Sequence, residues 1–295
     1  MFRLSDPQTG QARVVTPGPG GLMRLYARAR GAHRRRHVGD LRSLLLADLI
    51  GRHAELYHHA TVWMVLGIPD DGNADPAGDD ALAADSAALN LRPAERKFRA
   101  SSEPGTVSEM IMADGRILID IRGAGADVWP ESATGLKPEQ PWARWVSAGP
   151  VLFEGRETAA AVPPLTLSGL SEHGLDPLAL RLAFLTNGYT EPVDLSWGAL
   201  TDADAALRRW RERVAEWAES PSQPMSERVT TRVRSAFDND LDTPGALDAL
   251  DELGRDALTP PGSKFETVVL ADRLLALDLS RDIGRAPVTR NKPSS

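Results

Sequence analysis

No cysteine occurs anywhere in this chain of 295 residues. Its absence excludes disulfide bonds and any metal held by thiolates. Long apolar runs are missing too, none approaching the roughly 18 residues that a membrane-spanning helix needs. The opening Met1-Phe2-Arg3-Leu4-Ser5-Asp6 lacks a hydrophobic stretch of the signal-peptide kind. Positive charge is in deficit, with a formal net charge of -7, so the surface as a whole exerts no general pull on nucleic acid. Together these absences lead to the expectation of a bacterial cytoplasmic protein with neither membrane nor DNA as partner. The length suffices for one large or two ordinary domains with proper cores.

What is present divides the chain in two. Residues 1 to about 20 read as an edge strand and a Pro/Gly-rich connector ending in Thr16-Pro17-Gly18-Pro19-Gly20-Gly21. Leu22 to Ala27 fits a buried first strand, and Val38-Gly39-Asp40 opens a helix that Asp40 can cap, with Leu44, Leu45, Leu49 and Ile50 as apolar positions. Ala60 to Leu66 reads as a second parallel strand. This strand-loop-helix-strand order predicts an α/β fold with a doubly wound, Rossmann-like parallel sheet. Residues 70–92, rich in Asp, Gly, Ala and Pro, read as a mobile acidic surface loop. Gly115 to Gly123 predicts a core strand, Trp142 to Val146 a short helix or turn, and Pro150 to Phe153 a strand. From Pro177 the chain reads as four helices: one around Leu178–Leu185, one over Asp202–Trp217, one started by Asp242-Thr243-Pro244, and one over Phe265–Leu279. The expected domains are 1–165, Rossmann-like, and 166–287, a helical bundle, with 288–295 a disordered tail.

Three blocks resemble cysteinyl-tRNA synthetases, which are class I aminoacyl-tRNA synthetases. Leu25 to Ser43 resembles the family's C-G-P-T-V-Y segment and the following H-x-G-H-x-R element, which opens a helix and cradles ATP. Ile119-Asp120-Ile121-Arg122-Gly123-Ala124-Gly125-Ala126-Asp127-Val128-Trp129-Pro130 resembles F-D-I-H-G-G-G-x-D-L-I-F-P. The third block runs from Phe153 into the helices and includes Asp238-Asn239-Asp240-Leu241-Asp242-Thr243-Pro244, which resembles D-D-L-N-T-P. The chain is also similar to the mycothiol cysteine ligases, cousins that join cysteine to an amino sugar on this scaffold. It ends soon after the helices, so the resemblance leads us to expect no dedicated anticodon-binding domain and no tRNA partner.

Within that resemblance the site looks degenerate. The family's first zinc-binding cysteine falls at Arg28, the H-H-E after Pro130 is replaced by Glu131-Ser132-Ala133, and no metal ligand pattern survives near Thr106-Val107-Ser108-Glu109. The expectation is no metal site and no zinc. The two lysines of the family's K-M-S-K-S loop, which stabilise charge on ATP phosphates, fall at Glu157 and Ala160. Losing one such cation costs about 10²–10³ in rate. What remains is a set of nucleotide-binding candidates, His37, Gly39, Asp40, Gly123, Gly125 and Asp127, with ATP as the candidate ligand. Arg28, Arg34, Arg35 and Arg36 are phosphate-clamp candidates, against the bland alternative of a solvated or acid-paired run. Arg28, Asp70 and Trp129 would line an amino-acid pocket. The function expected is a truncated, non-catalytic binding or accessory paralogue, with a protein or a small carboxylate as partner. The alternative is a repurposed ATP-dependent ligase acting on a small carboxylate or a non-cysteine amino acid.

Overall fold

The computed structural model describes residues 2–7, 9–28, 38–69, 76–100, 118–122, 143–157 and 165–285. Two short strands, β1 (Phe2–Ser5) and β2 (Ala12–Val15), pair as an antiparallel hairpin where the sequence suggests a single edge strand. The Gly/Pro stretch that follows folds into one 3-10 turn, Pro19–Gly21, and leads into β3 (Leu22–Arg28). Met23, Leu25, Tyr26 and Ala27 on β3 are all buried, as a strand covered on both faces requires.

The chain then alternates. Helix α1 (Val38–His58), β4 (Thr61–Pro69), α2 (Pro76–Ala88), β5 (Arg96–Ala100), β6 (Leu118–Arg122) and β7 (Ala143–Ser147) follow in order. The five strands form one all-parallel sheet in the order β5-β4-β3-β6-β7. Counted from β3, that is the 3-2-1-4-5 order of a doubly wound nucleotide-binding sheet. Helix α1 packs on β3, β4 and β6 on one side and on a helix from the end of the chain on the other. Residues all around it are therefore buried, from Leu41 to Ile50 without a break.

Two expectations are corrected here. Pro76–Ala88, inside the stretch 70–92 taken for an acidic loop, is a helix. Its proline suits the first turn, and its alanines have the highest helix propensity. Ala143–Ser147, read as a helix or turn, is strand β7, with Trp145 opposite Asp120 and Val146 opposite Ile121. A short apolar run is ambiguous between helix and strand by periodicity alone, and the open edge of β6 decides it.

After the sheet come β8 (Val151–Phe153), β9 (Arg156–Glu157) and, later, β10 (Val193–Leu195), a small sheet in the order β10-β8-β9. The rest is helical: α3 (Leu167–Glu172), α4 (Leu178–Leu185), α5 (Trp197–Ala218), α6 (Glu227–Asp238), α7 (Thr243–Arg255) and α8 (Pro261–Leu275). Side chains cap the N-termini of α5 and α7. Ser196 accepts from the backbone N–H of Ala199 at 3.1 Å, and Asp242 from that of Gly245 at 2.9 Å, with Pro244 in the first turn of α7. Helix α6 has no counterpart among the four expected helices; its buried side is a narrow stripe, Val229, Val233 and Phe237, in an otherwise charged segment.

The sheet half and the helical half share a buried polar junction. The Asp48 carboxylate on α1 accepts from Arg181 Nη2 on α4 at 2.7 Å and from Arg52 Nε at 2.9 Å. Arg181 also donates to the carbonyls of Leu275 and Leu89 at 2.6 and 2.9 Å. Both Arg181 and Asp48 have side chains without solvent exposure. Among the described residues, no helix is long and apolar enough to cross a membrane.

Candidate functional site

Strand order reverses between β3 and β6, and ligands of open α/β sheets bind in the crevice at the carboxyl ends of the strands at such a point. On β3 the crevice is bounded by Ala27, opposite Leu66 of β4 and Ile121 of β6, and by Arg28, opposite Gly67. Arg28 is buried, 4% exposed, with its guanidinium 5.6 Å from the centre of the Tyr26 ring. That phenol occupies the space that Gly67 leaves: a Cβ there would lie 2.2 Å from the Tyr26 hydroxyl and 2.5 Å from Cζ. Gly67→Ala is expected to cost about 1–3 kcal/mol by overpacking a fully buried ring. Urea unfolding with an unchanged m-value checks it.

The arginines are partly engaged. Arg24 lies over the Trp63 ring at 5.1 Å and Arg96 approaches the same ring at 5.7 Å. Arg28, Gly39 and Asp40 are the expected site residues that the structure describes. His37, Arg34, Arg35, Arg36, Asp70, Gly123, Gly125, Asp127 and Trp129 lie outside the described residues. The chain leaves β3 at its carboxyl end and re-enters at the N-terminus of α1, so Gly39 and Asp40 stand at the rim of the switch point. Asp40 is corrected from cap to first-turn residue, since α1 already begins at Val38. It is 8% exposed and places its carboxylate at the positive end of the helix dipole.

One residue of the motif that was given no role is Arg42. Its guanidinium donates to the carbonyls of Glu191 at 2.6 Å, Gly188 at 2.9 Å and Pro150 at 3.2 Å. It therefore clips α1 to the start of β8 and to the loop before β10. Burial lowers its pKa to about 10, with Glu191 acting in the opposite sense. On the other flank, Phe153-Glu154-Gly155-Arg156 makes the tight turn of the β8–β9 hairpin, with φ of 50° at Glu154 and 75° at Gly155. Positive φ at both central residues is the two-residue hairpin turn that glycine favours. Glu157 is the last residue of β9.

No family model matches the chain. Curated relatives do. The L-cysteine:1D-myo-inositol 2-amino-2-deoxy-alpha-D-glucopyranoside ligase of Mycolicibacterium smegmatis is 36% identical over 177 residues, 55% of this chain and 41% of the relative. The ligase of the same name from Segniliparus rotundus is 32% identical over 242 residues, 72% of this chain and 55% of the relative. Among solved structures, the arginyl-tRNA synthetase of Thermus thermophilus superposes with a TM-score of 0.51 at 13% identity, covering 90% of this chain and 82% of that one. In sequence the chain is similar to these ligases, and in fold to aminoacyl-tRNA synthetases. The matches to these two ligases span about half of the relatives' length or less, 41% and 55%, and the distant structural likeness establishes the synthetase-like fold alone.

Proposed function

We propose that this synthetase-like chain is a binding or accessory protein that neither selects nor activates cysteine. The observation that carries the reading is buried Arg28 at the carboxyl end of β3, at the position where the family resemblance puts a zinc-binding cysteine. A guanidinium has no lone pair to give a metal and is permanently charged, so it repels the ion that cysteine recognition would need. The residues present thus do not fit the family's zinc. Glu157 and Ala160, at the positions of the two family lysines, support the same reading, since pyrophosphate departure needs cations on the phosphate oxygens. In this proposal residues 1–165 are the nucleotide-binding-type domain and 166–287 the helical bundle domain. ATP is retained as a ligand, and a protein or a small carboxylate is the partner in the cytoplasm, with no role for tRNA, DNA or a membrane.

The second reading, a ligase turned to another carboxylate, is favoured by the same Arg28. A guanidinium holds carboxylates and phosphates in a two-point grip, and Gly39 still permits close approach of a nucleotide to the start of α1. Pyrophosphate exchange with ATP and a panel of amino acids separates the two. No exchange with any amino acid, in wild type and in Arg28→Ala alike, is the expected result. Exchange with cysteine overturns both readings, and exchange with another amino acid that Arg28→Ala abolishes establishes the second.

A further inference from the structure

Away from the switch point, three potential metal ligands converge where two helices end. His53 and His58 lie in the last turns of α1, and Asp238 is the last residue of α6. Both imidazole Nε2 atoms lie 2.9 Å from the same oxygen, Asp238 Oδ1. One ligand atom from each of the three residues lies within 4.8 Å of the other two. The other oxygen, Oδ2, faces Arg234 Nε at 3.6 Å, which leaves Oδ1 to the two histidines. Two helix carboxyl ends and a carboxylate make the spot electronegative.

We propose that His53, His58 and Asp238 form a binding site for one divalent ion of the Zn2+ class, which clasps α1 to α6. Two imidazoles and a carboxylate are a borderline-soft donor set, suited to Zn2+ and its neighbours and not to Mg2+ or Ca2+. Zn–N and Zn–O bonds of about 2.0–2.2 Å in tetrahedral array separate ligand atoms by about 3.3 Å, so the 2.9 Å contacts need open by only a few tenths. His53 is held in place by rings on several sides: Phe2, Tyr57 and Phe237 have centroids 5.2, 5.6 and 5.6 Å away. Its Nδ1 is buried and has no hydrogen-bond partner among the described residues, so the ring is oriented by packing and by Nε2 alone. The side chains of His58 and Asp238, 8% and 28% exposed, leave a path to solvent. The competing arrangement is a carboxylate that merely accepts from two imidazoles.

Calorimetric titration of the full, chelator-stripped chain with ZnCl2 at neutral pH decides between them. The expected result is one saturable Zn2+ per chain, accompanied by a rise in Tm. His58→Gln and Asp238→Asn should each weaken binding by more than about tenfold, a loss that even outer-shell changes reach at metal sites, and His173→Gln should leave it unchanged. His58→Gln truncates a rim residue and spares buried His53, so it serves if Asp238→Asn does not fold. Absence of saturable binding overturns the proposal. So does binding that survives His58→Gln and Asp238→Asn, because the metal would then sit elsewhere.

Discussion

Asp48→Ala is expected to lower stability by about 3–5 kcal/mol, because it strips the counter-charge from an arginine that cannot reach water. The Arg181 side chain has no exposure, and its other contacts are backbone carbonyls of Leu275, Leu89 and Asn90. Carbonyl dipoles orient a guanidinium but supply no net charge. Burial already pulls the Arg181 pKa down, and Asp48 is the first group opposing that pull. The same substitution also removes the acceptor of Arg52 Nε and of the Arg92 backbone N–H. At this chain length each kcal/mol corresponds to roughly 2–4 °C in Tm, so the loss is readable by thermal melting. Replacing both partners, Asp48→Ala with Arg181→Met, should cost less than Asp48→Ala alone, since apolar pairs of similar volume often substitute for buried ion pairs without penalty. An Asp48→Ala variant within 1 kcal/mol of wild type, on the order of a surface pair, would show that Arg181 is not confined as the structure places it.

That junction also marks where sequence reading stops. Helix α7 was legible because its signal is local: Asp242 and Pro244 announce a helix start within a few residues. The parallel strands β3 and β4 were legible from their apolar runs. By contrast, Asp48 and Arg181 are 133 residues apart, and His53 and Asp238 are 185 apart. Nothing in a one-dimensional pattern joins such pairs. Helix α2 was missed because its aspartates suggest solvent while its alanines suggest helix, and the proline at its start reads as a breaker when the context is unknown. Of the candidate site residues, Arg28 lies at the carboxyl end of β3, and Gly39 and Asp40 at the start of α1. The sequence could not show that Gly67 is small because Tyr26 crosses it, since the two are 41 positions apart and meet only across a strand pair.

Arg42→Ala is expected to cost about 2–4 kcal/mol, the second largest loss, and it bears on what the retained motif means. The guanidinium satisfies carbonyls on three residues, Pro150, Gly188 and Glu191, from two separate segments. A buried acceptor left without a donor costs about 1–3 kcal/mol, with partial relief where water can enter. Arg42→Lys should recover less than half of the loss, because an ammonium cannot span three acceptors in the plane of a fork. Gly149 reinforces the constraint: a Cβ there would lie 2.2 Å from the Glu191 carbonyl oxygen, so the loop has no freedom to collapse onto a shortened side chain. Hydrogen exchange at Gly149, whose N–H donates to the Tyr189 carbonyl at 2.7 Å, should accelerate in Arg42→Ala before that of the β3 amides. If stability and exchange stay at wild-type values, the Arg42 contacts do not hold the loop. If they change as expected, Arg42 is explained by architecture. Its presence in a chain that carries Arg28, Glu157 and Ala160 then needs no surviving catalysis to account for it.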